Sequence, residues 1–370
     1  MYKEIINSRQ AIVLLSGFIV GSTAILGVGT DTKQDVWITI LLAMILASII
    51  YFVYARIIAL VPGKNLFEIL DFLFGKIVGR MVSVVFIWYA FYLQALVTRS
   101  FTEFIRAISL QETPLFIIAL SASLLSAWAI RDGLEVFARW ASIFFPIVVI
   151  FILIITFLTI PWIGFENLSP TLYNGIGPVI NSATSAFSFP FAEAVLFIAI
   201  LNSLRRNESP YKVFFWSLLI GGLLILIIAT RTVLVLGPEN TSLQHYGSYA
   251  SVRLINLGNF LQRIEVSVSI VFIVTGFIKG SVCLYASSKG ISHLLFNKMD
   301  YKKLAPPINL LNVLFSLIVF KNAIQMFEWA EHLYKYFAFP FQVVIPIIML
   351  IVAEVKTRKT KNDNQSIQTD

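Results

Sequence analysis

Ten stretches of this chain are apolar over about the length a helix needs to cross a bilayer, and no other feature constrains its fold as strongly. A hydrocarbon core ~30 Å thick takes about 20 residues of helix. Backbone surrounded by lipid must also satisfy its own hydrogen bonds, so an apolar run of that length folds as a helix. The segments run from Gln10 to Val28, Val36 to Leu60, Ile77 to Ile105, Pro114 to Ile130 and Glu135 to Ile160. They continue from Pro178 to Leu201, Tyr211 to Leu236, Phe260 to Tyr285, Pro306 to Phe320 and Phe337 to Val352, the ninth being the shortest. Hydrophobic residues make up 58% of the chain and charged ones 13%, with a mean hydropathy of +0.83, outside the range of soluble domains. The expected fold class is an all-α integral membrane protein with ten transmembrane helices. Residues 1–355 should form a single membrane domain, and the polar residues 356–370 a short cytoplasmic tail, disordered by composition.

The basic residues follow topology and form no nucleic-acid stripe, although the net charge is +8. With the N-terminus inside, Lys3, Arg9, Lys64, Lys76, Arg80, Arg131, Arg139, Arg205, Arg206 and Lys212 fall on the cytoplasmic side. So do Lys289, Lys298, Lys302, Lys303, Lys356, Arg358, Lys359 and Lys361, against Lys33, Arg106, Arg253, Lys321 and Lys335 outside. Basic residues in short loops resist translocation, so both termini are expected in the cytoplasm. The first segment follows Lys3 and Arg9 as a signal peptide would, but it has the length of a span and no small-residue cleavage site, which makes it helix 1.

Enzyme chemistry finds little support. His245, His293 and His332 are scattered without ligand spacing, Cys283 stands alone in an apolar run, and no phosphate loop, nucleophile elbow or carboxylate pair is present. Neither a metal nor a cofactor is expected.

Segments 1 and 6 each carry residues that interrupt a helix. The first reads SGFIVGSTAILGVG, with Gly21 beside the polar pair Ser22 and Thr23; the sixth holds FSFPFAE, from Phe187 to Glu193. Proline removes a backbone donor, and a carboxylate at membrane depth is costly unless paired or wet. First and sixth are equivalent positions in a 5+5 arrangement, and five being odd, the second half is inverted. Interrupted helices at matching places in inverted repeats point to a binding site of the transporter type. Small residues also serve close helix packing and a proline can be a plain kink, so the coincidence of the two breaks carries the argument.

On this reading Gly21, Ser22 and Thr23 open a half-helix whose N–H groups suit a carboxylate. Carbonyls freed at Phe187, Ser188, Phe189 and Pro190 suit an ammonium, so a zwitterionic amino acid fits both ends. Glu193 supports the unwound turn or titrates as ligand binds. Lys279 is expected to snorkel to the cytoplasmic surface, the alternative being a buried role in place of a coupling cation. Of the aromatics on segment 3, Tyr92 is the residue expected to close over the ligand, ahead of Tyr89 and near Gln94; segment 8 adds Ser281 and Tyr285. Arg99 with Glu103, and Arg263 with Glu265, read as outer interfacial pairs.

The chain resembles the B subunits of spore germinant receptors, within the amino acid, polyamine and organocation transporter superfamily. The resemblance rests on Gln10 opening helix 1, Gly21, the loop TDTKQDVW ending at Trp37, PGKNLFEIL from Pro62 to Leu70, Gly75, Lys76 and Gly79, and FPFAE in segment 6. It implies a LeuT-like inverted-repeat fold and a nutrient ligand such as an amino acid. It also implies A-type and lipoprotein C-type partner subunits in the inner spore membrane. Where the superfamily breaks helix 1 with glycine, serine and glycine, Thr23 replaces the second glycine and limits backbone freedom. A sensor is therefore expected before an amino-acid permease or cation-coupled symporter. The segment Asn322 to Phe337 is amphipathic, and an exposed apolar face there would favour docking of a partner.

Overall fold

The computed structural model describes residues 4–254 and 265–366, with side chains as far as Arg358. Among the described residues the regular structure is helical, and the ten apolar segments all appear as helices. They are α1 (Ser8–Val20, prolonged by a tight turn over Gly21–Ala24), α2 (Val36–Leu60), α3 (Leu66–Ile108), α4 (Leu115–Asp132) and α5 (Leu134–Leu158). The second half comprises α6 (Ile176–Ala186, prolonged through Phe187–Phe191 and Ala192–Ala199), α7 (Pro210–Leu236), α8 (Glu265–Leu294), α9 (Tyr301–Ile318) and α10, which starts at Ala323 and runs to Ser366. Eight of these are long and apolar enough to cross a membrane on length and composition; α1 and α9 complete the set.

Several limits differ from the sequence expectation, each for a local reason. Helix α3 begins at Leu66, where Asn65 and Glu68 form a capping box, and Gly75 (φ 78°, ψ 168°) turns the chain before the membrane-crossing part. A hydropathy window misses that first stretch because it is amphipathic. Helix α9 starts at Tyr301, because the Asp300 side chain accepts from the N–H of Lys302. Asn322 caps α10 in the same way, which absorbs the amphipathic outer segment into the last helix. That helix continues past Lys356, where a disordered tail was expected. Phe260, Arg263 and the last four residues of the tail lie outside the described residues.

The bundle is inside-out relative to a soluble protein. Exposed positions on α2 are Ile45, Ile49 and Phe52, and on α5 Ile143, Ile147 and Ile150, while Glu193, Lys279, Gln342 and Asn312 are buried. Lipid demands that arrangement. The loops sort to two ends as alternate crossing requires. At one end Glu4 accepts from Tyr301 (2.6 Å) and pairs with Lys302 (3.1 Å), and Ile6 exchanges backbone bonds with Ser203 and Arg205 (2.8 and 3.1 Å). At the other, Lys33 pairs with Glu239 (2.7 Å), and Asp35 accepts from the Leu172 N–H (2.9 Å).

Candidate functional site

The two breaks lie near each other, and buried charge joins them. At Gly21 the backbone takes φ 22°, ψ −119°, a conformation L side chains rarely adopt, and its carbonyl accepts from the Thr275 hydroxyl of α8 at 2.9 Å. Beyond it only the single turn Gly21–Ala24 follows, in place of the expected outer half-helix, so the array of free N–H groups is small. Thr23 turns its hydroxyl back onto the Val20 carbonyl (2.6 Å), and the Ser22 carbonyl accepts from the N–H groups of Ile25 and Leu26 (3.3 and 3.0 Å).

In α6 the helix widens over Phe187–Phe191, and Phe189 (φ −127°, ψ 112°) leaves helical geometry, as Pro190 requires of its predecessor. Three carbonyls around the break are already partnered. Ser188 receives the Gln342 amide (2.9 Å), Phe191 the Tyr51 hydroxyl (2.9 Å) and Ala192 the Tyr54 hydroxyl (3.1 Å). Gln342 is the hub: it also donates to Tyr89 Oη (2.9 Å), and its side-chain oxygen accepts from Ser188 Oγ (2.9 Å).

Glu193 and Lys279 meet at 2.5 Å, both fully buried. The expectation that Lys279 snorkels is overturned. Its ammonium lies 4.6 Å from the Phe189 ring centre and 5.3 Å from that of Phe18, caged by one carboxylate and two ring faces between α1, α6 and α8. The other Glu193 oxygen accepts from Tyr334 of α10, whose hydroxyl lies 3.2 Å from that of Tyr89. A polar chain thus runs Lys279, Glu193, Tyr334, Tyr89, Gln342 and on to the break in α6.

Of the residues singled out from sequence, Gly21, Phe189, Glu193 and Lys279 meet at this centre, with Ser188 on its polar chain. Tyr92 instead packs its ring against Trp329 and Phe337 (5.3 and 4.9 Å), while Tyr89, three residues earlier, enters the network. Tyr285 stacks edge-on against Tyr301 (5.1 Å), next to the Glu4 clasp at the other end of α8. Ser281 is fully buried, and its hydroxyl has no partner among the described residues. Arg99 pairs with Glu103 (2.7 Å) as expected and also caps the end of α9 through the Leu317 carbonyl (2.9 Å). Tyr51, Tyr54, Tyr334 and Gln342 were missed. Gln342 had a signal, a lone amide within the apolar run FPFQVVIPII.

Gln342→Leu should lower stability by about 2–3 kcal/mol, since it strands the buried Ser188 carbonyl and hydroxyl. A thermal melt of the purified protein checks this, and an unchanged melting temperature would remove Gln342 from the hub.

Ten long helices among the described residues, in two inverted halves with α1 and α6 both interrupted around buried charge, define an integral membrane protein of the LeuT-like transporter fold. A crystal structure of MhsT in complex with L-phenylalanine shares the fold, with a TM-score of 0.65 and 13% identity over 95% of this chain and 99% of that one. The spore germination protein family model matches residues 5–325, and the chain belongs to that family. Spore germination protein KB of Bacillus subtilis (strain 168) is 29% identical over 97% of both chains. Spore germination protein YndE of the same organism is 26% identical over 96% of this chain and 98% of its own.

Proposed function

We propose that this protein is the nutrient-sensing subunit of a spore germination receptor, binding an amino acid or similar small nutrient where α1 and α6 break. The Lys279–Glu193 pair carries the reading. A zwitterion offers a carboxylate to Lys279 and an ammonium to Glu193, so it can replace each partner of the pair without stranding a buried charge. Binding would part α8 from α6, and the bundle would shift by as much as the ligand prefers the parted state. A-type and C-type subunits in the inner spore membrane would read that shift. A lysine that supplies its own cation beside the breaks argues against coupling to a metal cation at that place. The amino acid named in the MhsT structure supports the ligand class and equally keeps an amino-acid permease as the second reading. Exposed Ile324, Leu333 and Tyr336 on α10 do not decide between them, because a membrane helix needs apolar surface for lipid alone.

Thermal melts of the purified chain against a panel of amino acids test the proposal. One chemical class should stabilise it by about 2.7 kcal/mol at a hundredfold excess over Kd, and Lys279→Met should abolish the shift. No shift with any member would defeat the reading, and uptake against a gradient in proteoliposomes would promote the permease.

We further infer that both termini are cytoplasmic. Cysteines placed at the exposed positions Glu166 and Lys298 should label from opposite sides of the membrane, with Cys283 silent because it is buried. Labelling from one side would refute the topology.

A further inference from the structure

Among the described residues, the buried cations Lys279 and Arg99 each face a carboxylate, Glu193 and Glu103, and the buried Arg231 does not. Arg231 stands near the outer end of α7, 3% exposed. Its Nη2 donates to Ser248 Oγ at 2.9 Å, and its Nε has no partner among the described residues. Residues 255–264 contain neither Asp nor Glu that could serve instead. A guanidinium held out of water without a counter-charge is costly, so this place calls for an anion from outside the chain.

Ser248, which receives the guanidinium, also lines a cavity of about 20 Å³. That is room for one water-sized occupant. The cavity lies just beyond the break in α1, between Thr23 and Thr30 of the outer turn, Thr232 of α7, and Ser248 of the short helix Gly247–Arg253. Its hydroxyls fall into two kinds. Thr23 and Thr232 donate to the Val20 and Ile228 carbonyls, at 2.6 and 2.7 Å. Ser248 Oγ accepts from Arg231, which leaves its own proton without an acceptor among the described residues, and the half-buried Thr30 hydroxyl is likewise uncommitted. Two donors therefore meet at one small space, with a cation behind the first of them. Gly27, another wall of the cavity, is exposed at the end of the bundle opposite the Glu4 clasp, which gives an ion its entry from water.

We propose that this cavity binds a monatomic, monovalent anion of the halide class, chloride being the probe, which accepts from Ser248 Oγ and Thr30 Oγ1 and is charge-matched by Arg231 through Ser248. The volume excludes carboxylate and phosphate groups, which bring several heavy atoms. A water would fill the same space but leave the guanidinium uncompensated. The site is independent of the nutrient centre.

The test is thermal melting of the purified full chain in sodium chloride against sodium gluconate at equal ionic strength, so that screening is the same and only the fitting anion differs. Chloride should raise the melting temperature along a saturable curve, by roughly 5 °C at a hundredfold excess over Kd. Ser248→Ala, which removes a donor and the link to Arg231, should move the chloride midpoint up by about tenfold, and Arg231→Met should abolish the chloride shift. Equal melting of the parent chain in the two salts would leave the cavity to water and overturn the proposal, and it needs no variant to fold. A chloride shift undiminished in either variant would overturn it as well, since the ion would then bind elsewhere.

Discussion

Glu193→Gln and Lys279→Met should each destabilise the bundle by about 3–5 kcal/mol, while the double replacement should recover most of that loss. The two side chains are fully buried 2.5 Å apart. Removing one partner leaves the other's charge in a medium that solvates it poorly, and the remaining neighbours are two aromatic faces and one tyrosine hydroxyl. Removing both leaves a neutral amide beside a thioether of similar bulk, which the surrounding rings can pack against. Thermal melts of the four proteins in one detergent give the cycle. Losses that simply add would mean the two charges do not depend on each other, and the centre described here would be wrong. The same variants bear on function: the double variant should melt near the parent yet show no nutrient-induced shift, separating loss of ligand from loss of fold.

Gly21→Ala should abolish or weaken by about tenfold or more the nutrient-induced stabilisation, because it acts twice on one place. The position has φ 22°, which an L side chain resists, and the added methyl would lie 2.5 Å from Lys279 Cδ. The lysine stem is flexible, but its tip is held against Glu193, so making room at Cδ withdraws the ammonium from its partner. Gly177→Ala is the matched control, since a methyl there meets nothing within 4 Å. Dose–response melts on both variants decide the matter. An unchanged midpoint for Gly21→Ala would mean that the break in α1 does not shape the ligand site.

Chain order alone made the ten spans legible, together with the interruptions at Gly21 and at FSFPFAE and the pairing of Arg99 with Glu103. Each is a local property: the length of an apolar run, a proline that cannot donate, two charges four residues apart on one helix. Helix limits were less legible where caps such as Asn65, Asp300 and Asn322 recruit amphipathic turns that hydropathy counts as loop. What only the tertiary structure decided is which face of each helix meets which neighbour. Tyr89 and Tyr92 are three residues apart on α3 and alike in chemistry, yet only Tyr89 lies opposite Tyr334 and Gln342. Lys279 was free, as far as sequence goes, to reach either the cytoplasmic surface or the interior. Glu193, eighty-six positions earlier in the chain, gives it a partner inside, and an ion pair out of water is worth holding only when its two members arrive together.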